Sequence, residues 1–106
     1  MPHYMFRANY TQQGIQGVMK DGAASRVAAV EAMAGSVGGS IVSAHWAFGD
    51  DDFLAIAELP DNAAAMAIAA TVGASGAASV TTTVLLTAAE VDEALARKAM
   101  FRAPGS

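Results

Sequence analysis

SIVSAHWAFGDDDFLAIAELP, residues 40–60, is the stretch whose reading decides the fold. Two apolar runs flank a Gly-Asp-Asp-Asp punctuation, and a proline closes the second. Successive side chains of a strand point to opposite sides, so alternation marks extended structure. Val42, Trp46 and Phe48 fall on one side of the first run, and Ser43, His45 and Ala47 on the other. In the second run Phe53, Ala55, Ala57 and Leu59 share one side, while Leu54, Ile56 and Glu58 share the other. A four-residue connection containing glycine suits a β-hairpin. Placing Phe48 opposite Phe53 sets Trp46 against Ala55, His45 against Ile56 and Ser43 against Glu58. Pro60 cannot donate to a ladder and ends the second strand.

Outward from the hairpin the same rules assign the remaining elements. In residues 2–10, Tyr4, Phe6, Ala8 and Tyr10 alternate with His3, Met5, Arg7 and Asn9, a half-buried strand. Thr11 caps a short first helix over 12–20 with Ile15, Val18 and Met19 at helical spacing, weakened by Gly14 and Gly17. Ser25 opens a second helix with a Val27, Val30, Met33, Val37 stripe and with Arg26 and Glu31 off it. Gly35, Gly38 and Gly39 stop that helix. Asp61 or Asn62 caps an alanine-rich helix over 63–72, and residues 78–86, rich in valine and threonine, form a fourth strand. Thr87 and Glu90 have capping-box spacing ahead of a last helix over 88–100 that turns Val91, Leu95 and Met100 inward. The order β-α-β-β-α-β is the split βαβ pattern of ferredoxin-like α+β folds. It predicts a four-stranded antiparallel sheet in the order 4-1-3-2 with helices on one face, plus the C-terminal helix. The expected layout is one domain over residues 1–100 and a flexible tail over 101–106. Met5, Leu54 and Ile56 on the uncovered face form an apolar patch that a lone chain rarely exposes, so a homo-oligomer through that face is expected.

Composition narrows the function classes. The chain of 106 residues is 54% hydrophobic, so a core can form, and many of those residues are alanines that contribute little buried area each. The net charge of −4 and the scattered lysines and arginines argue against nucleic acid as a partner. With no cysteine there is no disulfide, thiolate metal site or thiol nucleophile. No apolar run reaches the roughly 18 residues of a membrane span. MPHYMFRANY lacks the pattern of a signal peptide, and a cytoplasmic protein is expected.

Asn9-Tyr10-Thr11-x-x-Gly14-Ile15, then Arg26 ahead of a Gly-Gly pair, then Gly49-x-x-Asp52 opening a strand that ends in Pro60-Asp61, resembles the GYD domain family. The resemblance covers roughly residues 3–95. It implies a small bacterial protein of the ferredoxin-like, dimeric α+β-barrel type. It also implies kinship with barrels that bind small organic molecules, some of them cofactor-free oxygenases or isomerases. The family's Gly-x-Tyr-Asp reads here Gly49-Asp50-Asp51-Asp52, with Asp51 in place of the tyrosine. Fold likeness alone does not transfer a reaction, because one fold hosts many chemistries.

The candidate site residues lie mainly on the uncovered face. His45 is the candidate base, Glu58 the carboxylate that would orient it, and Arg7 the cation for an anionic intermediate. Asn9, Tyr10 and Ser43 are candidate ligand contacts around an apolar floor of Met5, Leu54 and Ile56. The plainer alternative makes His45, Arg7 and Glu58 a polar cluster between subunits that sets partner choice. No cofactor and no metal site are expected. His3 and His45 are the only histidines, and Asp50, Asp51 and Asp52 read as a solvated turn. The expectation is therefore a small oligomer binding an organic ligand, either between sheet and helices or at the subunit seam. A cofactor-free enzyme and a purely structural assembly protein are the alternatives.

Overall fold

The computed structural model describes residues 1–106. Strands β1 (His3–Tyr10), β2 (Ser40–Trp46), β3 (Phe53–Glu58) and β4 (Ala78–Leu85) form one antiparallel sheet in the order β2-β3-β1-β4. Read from the other edge, this is the expected 4-1-3-2. Helices α1 (Gln12–Asp21) and α2 (Ala23–Ser36) connect β1 to β2, α3 (Asn62–Ala74) connects β3 to β4, and α4 (Ala88–Ala96) follows β4.

Alternation sorts the sheet residues as the sequence requires. Tyr4, Phe6 and Ala8 of β1 and Phe53, Ala55 and Ala57 of β3 are buried beneath the helices. Tyr4, Phe6 and Ala57 meet Ala34 of α2 and Ala64, Ala65 and Ile68 of α3, while Ala8, Phe53 and Ala55 cluster with Ala78 of β4. Small side chains on the helices let the backbone come close to the sheet, so Tyr4 and Leu59 are the largest side chains wholly withdrawn from water. Each contributes roughly 2 kcal/mol by transfer. The Tyr4 hydroxyl keeps a partner by donating to Asn62 Oδ1 at 2.7 Å. Asp61 is the cap of α3, its side chain accepting from the Ala64 amide at 2.9 Å. The box at α4 forms as its spacing suggests, with the Thr87 and Glu90 side chains each accepting from the other's amide.

The hairpin register differs from the expected one by two residues. Trp46 lies opposite Phe53, His45 opposite Leu54 and Ser43 opposite Ile56, while Glu58 faces Ser40. The turn is longer than four residues, closing with the Ala47 amide on the Asp52 carbonyl at 3.0 Å, and Phe48 is fully exposed on it. A bulge between Ile41 and Ser43 then leaves Val42 outside the core and turns Ile41 into it. The physical cause lies on a third strand. The Asp52 amide donates to the Ala8 carbonyl, and its carboxylate accepts from the Tyr10 amide, both at 3.0 Å. These bonds to β1 fix where β3 begins and so how far β2 must slide.

The helices correct two further expectations. Helix α2 begins after Gly22 rather than at Ser25, because Gly22 takes a positive φ of 87° that sharply separates the two helices. At the other end, α4 stops at Ala96 and buries none of its side chains. Leu95 is 69% exposed and Met100 wholly so. The helix-covered face is already occupied by α1–α3, and β4 leads the chain away from it. The longest dimension is 58 Å and the radius of gyration 16.9 Å, against about 13 Å for a compact chain of this length. The C-terminal segment is thus an arm that stands off the body.

Candidate functional site

Between the sheet and the helices lies a cavity of about 420 Å³. Its existence follows from which face of α1 turns inward. Gln13, Gly14, Gly17, Val18 and Asp21 line it, and Gly17 sits where a larger side chain would fill space. Ile15 and Met19, expected inward, are exposed, Met19 at 79%. A Cβ built on Gly17 would meet nothing within 4 Å. From α2 come Arg26, Val30 and Met33, and the sheet supplies Phe6, Ala8, Tyr10, Phe53 and Ala55. Ile68, Val72 and Val80 close the far side. The volume falls within the roughly 300–1,000 Å³ usual for small-molecule sites, and the lining is mostly apolar with a few polar groups, as such sites are.

One end of this cavity is built by a junction of four segments. Thr11 caps α1 by accepting from the Gly14 amide at 3.1 Å, and its hydroxyl donates to the Gly76 carbonyl at 2.8 Å. Its own amide donates to the Ala77 carbonyl at 2.9 Å. A side chain at position 14 would collide with that same carbonyl, since a Cβ there would stand 1.9 Å from the Ala77 oxygen. Gly14 is therefore required by close approach. Next to it, Tyr10 is held through its amide on Asp52, and Asn9 reaches Asp51 Oδ1 at 3.4 Å. The Asn-Tyr-Thr-x-x-Gly and Gly-x-x-Asp stretches, about forty residues apart in the chain, thus join one another.

Tyr10 carries the site's altered acidity. Burial raises its pKa above the ordinary 10.0, with a smaller increment from the Asp52 carboxylate. The Trp46 indole N–H and the Arg26 guanidinium act in the opposite sense and do not reverse it. Tyr10 is accordingly a neutral phenol, able to donate a hydrogen bond, at and above neutral pH. Trp46 stands edge-on to Phe53 with centroids 4.9 Å apart, so an indole adjoins the cavity wall.

Of the residues singled out from sequence, Tyr10 alone lines this cavity. Arg7, Asn9, Ser43, His45 and Glu58 lie on the opposite, uncovered face, spread over several rows. His45 and Arg7 flank Leu54 from β2 and β1, and Ser43 and Met5 flank Ile56. Glu58 is two rows further along, where His3 Nε2 approaches its Oε1 at 3.1 Å. Arg7 instead meets Asp51 Oδ2 at 3.6 Å. The structure does not bring His45, Arg7 and Glu58 together, because the two-residue difference in hairpin register removes Glu58 from the neighbourhood of His45. An Arg7–Glu58 bridge is absent because β1 sets Arg7 opposite Leu54 and His3 opposite Glu58. Exposed His45 shares its row with Leu54 and Arg7, with no carboxylate on it. No three His, Asp or Glu side chains converge in a way that would hold a metal ion.

Sequence reading missed Arg26 as a site residue, placing it off the apolar stripe of α2. The signal was present: Arg26, Val30 and Met33 follow i, i+4, i+7 spacing and share one helix face. Choosing Val27 as the start of the stripe rotated the helix by about one position.

Residues 4–95 match the family model of the GYD domain. No curated protein and no solved structure matches the chain.

Proposed function

The chain belongs to the GYD domain family, and from that premise we propose that it binds a small, largely apolar organic molecule in the cavity between its sheet and helices, as a homo-oligomer. The observation that carries the binding reading is the cavity itself, about 420 Å³ bounded by apolar side chains where α1 presents glycine. Interiors normally pack with few voids larger than a water molecule, so a space of this size needs a reason. The test uses a neutral fluorescent probe, phenylnaphthylamine, on the wild type and on Gly17→Phe, whose ring would occupy the space. Saturable binding by the wild type that is lost in a folded Gly17→Phe protein is expected. Equal binding by both would remove the cavity from consideration.

Assembly rests on the uncovered face and the arm. Met5, Leu54, Ile56 and Leu85 share that face, and none of them is wholly buried in the single chain. On the arm, Leu86, Leu95 and Phe101 are exposed. A second copy would cover these surfaces through a self-complementary contact. Sedimentation equilibrium should give a mass well above 10.7 kDa, and Ile56→Glu should lower it. A monomer at micromolar concentration would contradict the assembly and leave the binding reading standing.

A further inference from the structure

We propose that the cavity selects an apolar molecule carrying one anionic group, with the anion held at the cavity wall by Arg26 and Tyr10. This rests on the cavity being a binding site and adds the chemical class of its ligand.

Two observations support it independently of the cavity's volume. The first is that Arg26 has no carboxylate partner. The ion pairs of the chain are His3–Glu58, Arg7–Asp51 and Arg97–Glu93, and Arg26 takes part in none. Nor does its guanidinium donate any side-chain hydrogen bond to the protein. Yet Arg26 is partly buried and lines the cavity beside apolar Val30 and Met33. A guanidinium offers five donors in a planar fork, and at Arg26 none of them is taken up by the protein. A carboxylate or sulfonate entering the cavity supplies the missing acceptor in the geometry that the fork favours.

The second is the Tyr10 hydroxyl. It lines the same cavity and lies close enough to Arg26 for the guanidinium to influence its ionisation. The Tyr10 hydroxyl donates no hydrogen bond within the protein, so its proton is free to donate to a ligand. Burial keeps that proton in place through neutral pH. One cation and one neutral donor thus line the same cavity from α2 and β1. The charge count is limited by Asp21, which also lines the cavity and forms no ion pair. A second negative charge on the ligand would meet its carboxylate, so a monoanion is favoured over a phosphate-like dianion.

The experiment compares two probes with nearly the same apolar body: anilinonaphthalene sulfonate and neutral phenylnaphthylamine. Both are titrated at pH 7 into wild type, Arg26→Gln, Tyr10→Phe and Gly17→Phe, with circular dichroism confirming that each variant is folded. The anion should bind wild type about tenfold or more tightly than the neutral probe, the size of one charge-assisted contact. Arg26→Gln should remove that preference and leave the neutral probe's affinity unchanged. Tyr10→Phe should weaken the anion several-fold and spare the neutral probe. Should both probes bind wild type alike, and Gly17→Phe abolish both, the cavity would stand as a site and the anion preference would be overturned. Should Gly17→Phe leave both titrations unaltered, or neither probe bind, the cavity reading would fall and this proposal with it.

Discussion

Replacing Gly14 by alanine should destabilise the protein, although alanine is the better helix former. In an exposed helix position the exchange would add roughly 1 kcal/mol. Here the new Cβ would stand 1.9 Å from the Ala77 carbonyl oxygen and 2.8 Å from its carbon. A carbon normally keeps about 3.3 Å from a carbonyl oxygen, so α1 would have to retreat by well over 1 Å. Both contacting groups are backbone, so no side-chain rotation relieves the collision. The retreat pulls on the Thr11 amide bond to Ala77 at 2.9 Å and the Thr11 hydroxyl bond to Gly76 at 2.8 Å. Overpacking costs about 1–3 kcal/mol and each weakened bond about 1 kcal/mol, which outweighs the propensity gain. The net loss should be about 2 kcal/mol. Gly17→Ala is the internal control: same helix, same substitution, and nothing within 4 Å of the added carbon. It should stabilise by up to about 1 kcal/mol. Urea unfolding followed by Trp46 fluorescence and circular dichroism reads both. Opposite signs for the two variants are expected, with melting temperatures displaced by about 4 °C or more per kcal/mol. If Gly14→Ala were as stable as Gly17→Ala, the close approach of α1 to β4 would not exist as described.

Three further outcomes follow from the same geometry. Asp52→Ala leaves the Tyr10 amide without its acceptor at 3.0 Å, and should cost about 1–3 kcal/mol in urea unfolding; an unchanged midpoint would show that the hairpin does not need this tie to β1. Tyr10 ionises in the unfolded chain near 10.0 and higher in the native state, so its contribution to stability is present below pH 10 and is lost as pH rises through the native value. Urea midpoints measured on either side of pH 10 should therefore fall less in Tyr10→Phe than in wild type, and parallel declines would refute this assignment. Glu90 is held below its ordinary 4.5, first by the Thr87 amide and then by the Thr87 hydroxyl. Its support of the first turn of α4 is present above that pH and disappears as acid titrates the carboxylate through its lower native value. Amide exchange over residues 88–91 should quicken in acid in wild type and show no such step in Glu90→Gln.

The elements and the sheet order were legible because their causes are local. Alternation in residues 2–10 and 53–58, β-branched residues after 78, the Thr87–Glu90 spacing and the proline at 60 each act within a few residues of themselves. Given those elements, short un-knotted connections and right-handed crossovers leave few topologies. The site was less legible. Tyr10 was found, but Arg26 was rotated away from the cavity by choosing Val27 to begin the stripe of α2, and Gly14 and Gly17 were read only as weak helix formers.

What the sequence by itself determined, then, is the order β1 to α4, the buried sides of β1 and β3, and the capping residues Thr11 and Thr87. The tertiary structure decided the register of β2 on β3, because Asp52 is bonded to Ala8 and Tyr10 of a strand more than forty residues away. It also decided that α1 turns its glycines inward, Gly14 against the Ala77 carbonyl and Gly17 toward open space at the cavity. Contacts between distant segments decide among arrangements that local preference leaves nearly equal in energy, and both the cavity and the separation of His45 from Glu58 are of that kind.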